Sequence, residues 1–186
     1  MKTESIAMND MMLLIEPQIP ALRRYARALL RDTAAADDLV QDCLERAIGR
    51  WHQRRSDGDA RTWLFTILHN LAASRLRQRT RRGLHMSLED AESALPARPA
   101  SQEDALRHRD LLRGLAALPE DQRSVLLLVA VEELSYAETA AVLDVPIGTV
   151  MSRLSRGRHK LMQLMDSPAP AGAESTSGQT HLRRIK

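Results

Sequence analysis

Where apolar residues cluster in this chain, they recur at intervals of three and four, and nowhere do they alternate with period two for long. That spacing confines the fold to packed helices and makes it all-α. Ile19, Leu22, Ala26 and Leu29 form a first stripe, behind Pro17 at a first-turn position. Val40, Cys43, Leu44, Ala47, Ile48 and Trp51 form a second, and Leu64, Ile67, Leu68, Leu71, Ala72 and Leu76 a third. Asp59 stands where an N-cap belongs, so a helix over 60–82 is predicted, ~35 Å long at ~1.5 Å per residue.

The second half reads the same way. Ser101-Gln102-Glu103-Asp104 resembles a capping box with Asp in the usual Glu place, ahead of a stripe of Leu111, Leu112, Leu115 and Ala116. Pro119 breaks the chain, and Glu120 and Asp121 favour the positive end of a new helix. The apolar run 125–131 makes that helix central and buried. Ser135-Tyr136-Ala137-Glu138 is a full capping box, and Asp144-Val145-Pro146 forms a turn. The last helix is expected to bury Val150, Leu154, Gly157, Leu161 and Leu164.

Proline sets the boundaries, since none occurs between Ala21 and Leu95. Residues 13–82 read as one small helical domain and 83–100, with Pro96 and Pro99, as a flexible linker. Residues 101–166 read as a second helical domain, and 167–186, rich in Ser, Gly, Ala and Thr, as a disordered tail. A single cysteine, Cys43, excludes an intramolecular disulfide framework and a multi-cysteine zinc site. The six histidines show no metal-ligand spacing, and no phosphate loop, nucleophile elbow or dinucleotide fingerprint occurs. No cofactor, metal, small-molecule substrate or enzymatic activity is therefore expected. The longest apolar run is far short of the ~20 residues of a spanning helix, and Met11-Met12-Leu13-Leu14-Ile15 is too brief for a signal-peptide core. A soluble cytoplasmic chain without membrane insertion is expected.

The net charge of +3 conceals a segregation. Positions 32–45 hold five acids (Asp32, Asp37, Asp38, Asp42, Glu45) and no Lys or Arg, whereas positions 50–82 hold nine arginines and two acids. Positions 151–163 carry Arg153, Arg156, Arg158 and Lys160 with no acid. Two basic blocks on separate helices suit two polyanion sites; solvated helix faces are the bland alternative.

A short capped helix, a tight turn and a longer helix with a basic outer face is the pattern of a helix-turn-helix. Val150 and Leu154 would hold its second helix down. Thr149, Met151, Ser152, Arg153, Arg156, Arg158, His159 and Lys160 would then lie on other faces, within reach of a major groove. An ordinary helical hairpin with a basic face is the alternative. The helix beginning at Ala60 offers Arg61, Thr62, Trp63, Thr66, His69, Asn70, Arg75 and Arg77, with Trp51 nearby. Arginine beside aromatic faces is what unpaired bases stack on, although Trp51 closes an apolar stripe and reads first as core. On the acidic helix, Asp38, Gln41, Asp42 and Glu45 share a face opposite Val40, Leu44 and Ile48. A solvated face is the default reading; because acid there would repel DNA, a protein partner is the sharper alternative.

These segments together resemble the extracytoplasmic-function sigma factors, the small class of bacterial sigma-70-family subunits of RNA polymerase. The matching residues are Ala36-Asp37-Asp38-Leu39-Val40-Gln41-Asp42 and Ala60-Arg61-Thr62-Trp63-Leu64-Phe65-Thr66-Ile67-Leu68-His69-Asn70. Leu118-Pro119-Glu120-Asp121-Gln122-Arg123, Ser135-Tyr136-Ala137-Glu138 and Gly148-Thr149-Val150-Met151-Ser152-Arg153-Leu154-Ser155-Arg156-Gly157-Arg158 complete the set, over roughly residues 13–166. The resemblance implies a region-two bundle and a region-four helix-turn-helix domain. It implies that Asp37, Asp38, Gln41, Asp42 and Glu45 bind core polymerase, through the coiled coil of its beta-prime subunit, with the beta subunit a further partner. It places Arg61, Trp63, Thr66, His69, Asn70, Arg75 and Arg77 on the minus-ten promoter element, which that part of the chain reads and helps to melt. The final helix would read the minus-thirty-five element as duplex, with Met151 where many members carry Lys or Arg. An anti-sigma factor is a further implied partner, and the implied location is the bacterial cytoplasm, on the nucleoid when active. The segment Trp63-Leu64-Phe65-Thr66-Ile67-Leu68, with 19–30, is similar to the general-stress subgroup, which points to a stress response.

The 18-residue linker reaches ~60 Å extended, and two turns of duplex measure ~68 Å. Two domains so joined are expected to read DNA nearly independently. A dimeric helix-turn-helix repressor or activator, and a pure protein-interaction module, are the competing classes.

Overall fold

The computed structural model describes residues 11–54, 59–81 and 102–166, with the side chains of 102–106 excepted. The predicted linker, the tail, the Ser101 capping box and positions 55–58 lie outside the described residues.

Residues 11–15 are helical and pass through a 3-10 turn, Glu16–Gln18, into α1, Ile19–Leu30. Arg31 takes a left-handed conformation (φ 55°) that ends α1, and Asp32 immediately caps α2, Thr33–Gly49, by accepting from Ala35 N–H at 2.9 Å. That hydrogen bond, with Arg79 alongside, keeps the Asp32 carboxyl below its ordinary pKa in spite of partial burial. A 3-10 turn, Trp51–Gln53, follows. Helix α3, Ala60–Arg81, is capped as expected: Asp59 accepts from the N–H groups of Thr62 (2.9 Å) and Arg61 (3.2 Å). Leu22, Tyr25, Leu29, Leu39, Cys43, Leu64, Phe65 and Leu68 form a fully buried core between the three helices. Tyr25 and Phe65 meet edge to face with ring centroids 5.5 Å apart.

The second unit comprises α4 (Gln102–Ala117), α5 (Glu120–Leu126), α6 (Tyr136–Leu143) and α7 (Ile147–Asp166). The Ser135 capping box forms in full, with Ser135 Oγ accepting from Glu138 N–H and the Glu138 carboxylate accepting from Ser135 N–H. Helix α7 packs on α5 at Gly157, where a Cβ would stand 3.4 Å from the Gln122 carbonyl oxygen and 3.7 Å from Leu126. The glycine there is a close-approach residue. Among the described residues there is no strand.

Three expectations are corrected here. The apolar run does not stay buried: Val125 to Leu128 are core, but Val131 is 36% exposed. The α-helix gives way to a π turn over Leu127–Val131, which swings the end of the run outward. Leu164 is 39% exposed near the end of α7, and Leu161 is only half-buried. Ile48 is 44% exposed rather than in the core of the acidic helix.

The two units are not separate bodies. Helix α6 lies along α3, and α5 with the following π turn meets α1. In this arrangement the two units are in direct contact.

Candidate nucleic-acid interface

Asp144, left-handed at φ 51°, ends α6, and its backbone N–H closes on the Ala140 carbonyl. With Val145 and Pro146 it turns the chain into α7. Val150 and Leu154 anchor α7 in the core. Met151, Ser152, Arg156, Arg158, His159 and Lys160 are exposed on its outer side, where they were expected. Thr149 and Arg153 are half-buried. Arg153 is tied across to α5, with its Nε 3.2 Å from the Asp121 carboxylate. Arg156 is exposed on the outer side, whereas Arg153 is held at its edge by Asp121.

Helix α3 divides its predicted site residues among three neighbours. Arg75 turns to α2, donating to the Ala35 carbonyl (2.8 Å) and the Asp42 carboxylate (2.5 Å). Arg79 similarly pairs with Asp32 at 2.9 Å. The basic block of α3 is therefore in part the counter-charge of the acidic helix beside it. Trp63 packs edge-on against Trp51, centroids 5.9 Å apart, and Arg54 lies 4.7 Å over the Trp51 ring. Both tryptophans are partly buried against the core, as read first for Trp51. Thr66 Oγ1 donates to the Thr62 carbonyl at 2.9 Å. His69 Nδ1 lies 3.0 Å from the Tyr25 hydroxyl. Burial, with Arg77 and Arg153 nearby, lowers the His69 pKa to about 4, so this ring is neutral at pH 7. Asn70 and Arg77 are exposed. Arg61 reaches the second unit.

On α2, Asp37 is paired with Arg27 (3.1 Å) and Asp42 with Arg75. Gln41 Nε2 donates to Glu45 at 3.1 Å. Asp38, Gln41, Glu45 and Ile48, at spacings of three, four and three, form the exposed face. It is acidic with one apolar residue at its end, and suited to a basic protein surface that offers an apolar contact.

The residue that sequence reasoning missed is Glu132. Its carboxylate is fully buried and receives Nε (2.9 Å) and Nη2 (2.6 Å) of Arg24, from α1 of the other unit. The Arg61 guanidinium donates to the Glu132 carbonyl and lies 4.0 Å from its carboxylate. Pairs so far apart in sequence leave no local signal. The one hint was an acid directly following an apolar run. Among the described residues, no group of His, Cys, Asp and Glu could hold a metal, and no helix is long and apolar enough to cross a membrane.

Residues 15–69 match the family described as the Sigma2 domain of PhyR, and residues 108–161 match Sigma-70, region 4. The chain is 37% identical over 150 residues to the ECF RNA polymerase sigma factor EcfG of Rhodopseudomonas palustris, covering 79% of this chain and 80% of that one. It is similar to the sigma factor RpoE of Bartonella quintana, solved in complex with the anti-sigma factor NepR. That match has a TM-score of 0.66 and 32% identity, over 86% of this chain and 96% of the other. It is also similar to CnrH, solved with the cytosolic domain of CnrY, with a TM-score of 0.63 and 27% identity over 86% and 89% of the two chains.

Proposed function

The chain belongs to the extracytoplasmic-function RNA polymerase sigma factors, and from that premise we propose how its surfaces divide the work of promoter-directed initiation. The exposed face of α2, Asp38, Gln41, Glu45 and Ile48, docks on the beta-prime coiled coil of core polymerase, and the second unit adds contacts to the beta subunit. Asp37 and Asp42 support that face from behind through Arg27 and Arg75.

The minus-ten element is read on α3, with Asn70 and Arg77 already at the surface and Arg61, Thr66 and His69 facing the second unit or the core. The Trp51–Trp63 pair, with Arg54 stacked on it, is a platform suited to an unstacked base. The outer side of α7 enters the major groove of the minus-thirty-five element, with Arg156 as its base reader and Arg158 and Lys160 on phosphates. The domain boundaries follow: region two over 13–82, a linker over 83–100, region four over 101–166, and a tail over 167–186. The sigma factor RpoE was solved with the anti-sigma factor NepR, and CnrH with the cytosolic domain of CnrY, which supports a regulatory anti-sigma partner for this chain as well. Its place of work is the cytoplasm, on the nucleoid.

The observation that carries this reading is the coexistence, in one chain, of an acidic docking face without DNA character and a capped helix-turn-helix with a bare basic face. Titration of the labelled full chain with core RNA polymerase tests it. A saturable 1:1 complex is expected, and absence of binding at micromolar core would overturn it.

A further inference from the structure

We propose that Tyr25 is a positioning residue for promoter reading: its buried hydroxyl donates to Nδ1 of His69 and so fixes the imidazole as an Nε2–H donor, presented to an unpaired base of the minus-ten element that offers an acceptor. The inference deepens the reading of α3 as the minus-ten reader and rests on it.

Tyr25 is fully buried on α1, and its ring packs edge to face with Phe65 of α3. Burial raises its pKa, so the O–H keeps its proton at neutral pH. A buried O–H that donates to nothing is costly, and His69 Nδ1 lies 3.0 Å from the oxygen. Ser124 of the second unit stands beside the same hydroxyl, with its own proton given to the Glu120 carbonyl at 2.8 Å. Of these two acceptors the imidazole lone pair is the more basic. It also belongs, like Tyr25, to the first unit, so the bond needs nothing from the second.

Burial, ahead of Arg77 and Arg153, holds His69 neutral with a pKa of about 4. A neutral imidazole has one N–H and one lone pair. With Nδ1 accepting from Tyr25, the proton sits on Nε2. Among the described residues Nε2 has no hydrogen-bond partner, and it is not a buried atom. His69, Ala73 and Arg77 recur every four residues on one side of α3 and line a cleft of about 420 Å³. Glu120, Asp121 and Arg153 face them from the second unit. Ala73 brings only a methyl group beside the ring, and the exposed Arg77 suits a phosphate of the same strand.

A fixed N–H rewards an acceptor such as thymine O4 or guanine O6 and meets an amino group donor against donor. An imidazolium would attract every phosphate alike and carry no sequence information. A ring free to turn over or to exchange tautomers would offer a donor and an acceptor by turns. The Tyr25 hydroxyl removes that ambiguity.

Two measurements test this. NMR of the full chain with 15N-labelled histidine at pH 7 reads which ring nitrogen carries the proton, with His69 identified by the signals missing from His69→Gln. Transcription by core polymerase with the chain, from a library randomised across the downstream element, reads base preference. The wild type should show a protonated Nε2 and a bare Nδ1. Tyr25→Phe removes one oxygen and keeps the ring, and should average the His69 signals toward a tautomer mixture. It should also cut the preference at one downstream position about two- to tenfold, the weight of a single hydrogen bond, with the upstream motif unchanged. In His69→Gln the amide N–H needs no tautomer to be set, so Tyr25→Phe added to that variant should change the preference no further. A proton on Nδ1 in the wild type, or an unchanged preference in Tyr25→Phe, would overturn the proposal. An equal loss from Tyr25→Phe in the His69→Gln background would overturn it too, because it marks a packing role. If the wild-type chain gave no core-dependent promoter-specific transcript, the sigma assignment would fall and the base-reading claim with it, while the NMR would still show whether Tyr25 sets the ring.

Discussion

Cys43 and His69 show how burial fixes the chemistry of single side chains. The Cys43 thiol is fully buried and donates to the Leu64 carbonyl at 3.6 Å. Burial pushes its pKa up to about 12, so almost no thiolate exists at neutral pH. Native protein at pH 8 should react with a disulfide reagent only as fast as it unfolds, and Cys43→Ala should lower stability by about 1 kcal/mol. Rapid stoichiometric labelling of the native chain would contradict a core role. His69 is held neutral with a pKa of about 4, against ~6.5 in an unfolded chain. The unfolded state therefore binds the extra proton between those values. Stability from this residue is complete above pH 6.5 and is lost as pH falls toward 4, at up to about 1.4 kcal/mol per pH unit. Protonation would set the ring beside Arg77 and Arg153, with Tyr25, Glu120 and Asp121 the other nearby titratable groups. Denaturant titrations at stepped pH should show that slope, and His69→Gln should flatten it.

At the scale of the element, charge pairing separates residues that sequence grouped together. On α2, Asp38 and Glu45 face solvent while Asp42 holds Arg75. Asp38→Lys with Glu45→Lys should weaken core binding with little change in the melting temperature. Asp42→Lys should lower the melting temperature itself, because it sets two cations together against α3. Core titrations paired with thermal melts would separate the two outcomes. On α7, Arg156→Ala should relax preference at one upstream base pair by about 1–3 kcal/mol if its contact is bidentate. Arg153→Ala should behave like Asp121→Ala, through the mount of the helix rather than a base edge. A shift of the downstream preference by either arginine would break the assignment of α7. The helices were legible because their spacing and caps are local: Asp59 and Ser135 stand where their backbone partners are, three residues away. The helix-turn-helix was legible for the same reason. Ile48 and Val131 were misplaced because each departs from a simple stripe, one at a helix end and one on a π turn. The arginines of α3 read as a polyanion site because sequence cannot show that α2 lies alongside to neutralise two of them.

At the scale of the whole molecule, sequence conveyed the two heads but not their embrace. Arg24 and Glu132 lie 108 residues apart, so their contact is a property of the folded chain alone. The predicted linker length speaks for a promoter-spanning form, while the Arg24–Glu132 ion pair joins the two units in this one. What both forms serve is the selection of promoters, so the most direct measurement is transcription by purified core polymerase from a library randomised across the upstream region, with and without the full chain. Transcripts that depend on the chain should arise from templates sharing two short motifs about two helical turns apart. Arg156→Ala should degrade the upstream motif alone, and Asn70→Ala the downstream one. Transcripts no more numerous or selective than those of core alone would contradict the assignment of this chain as a promoter-directing subunit.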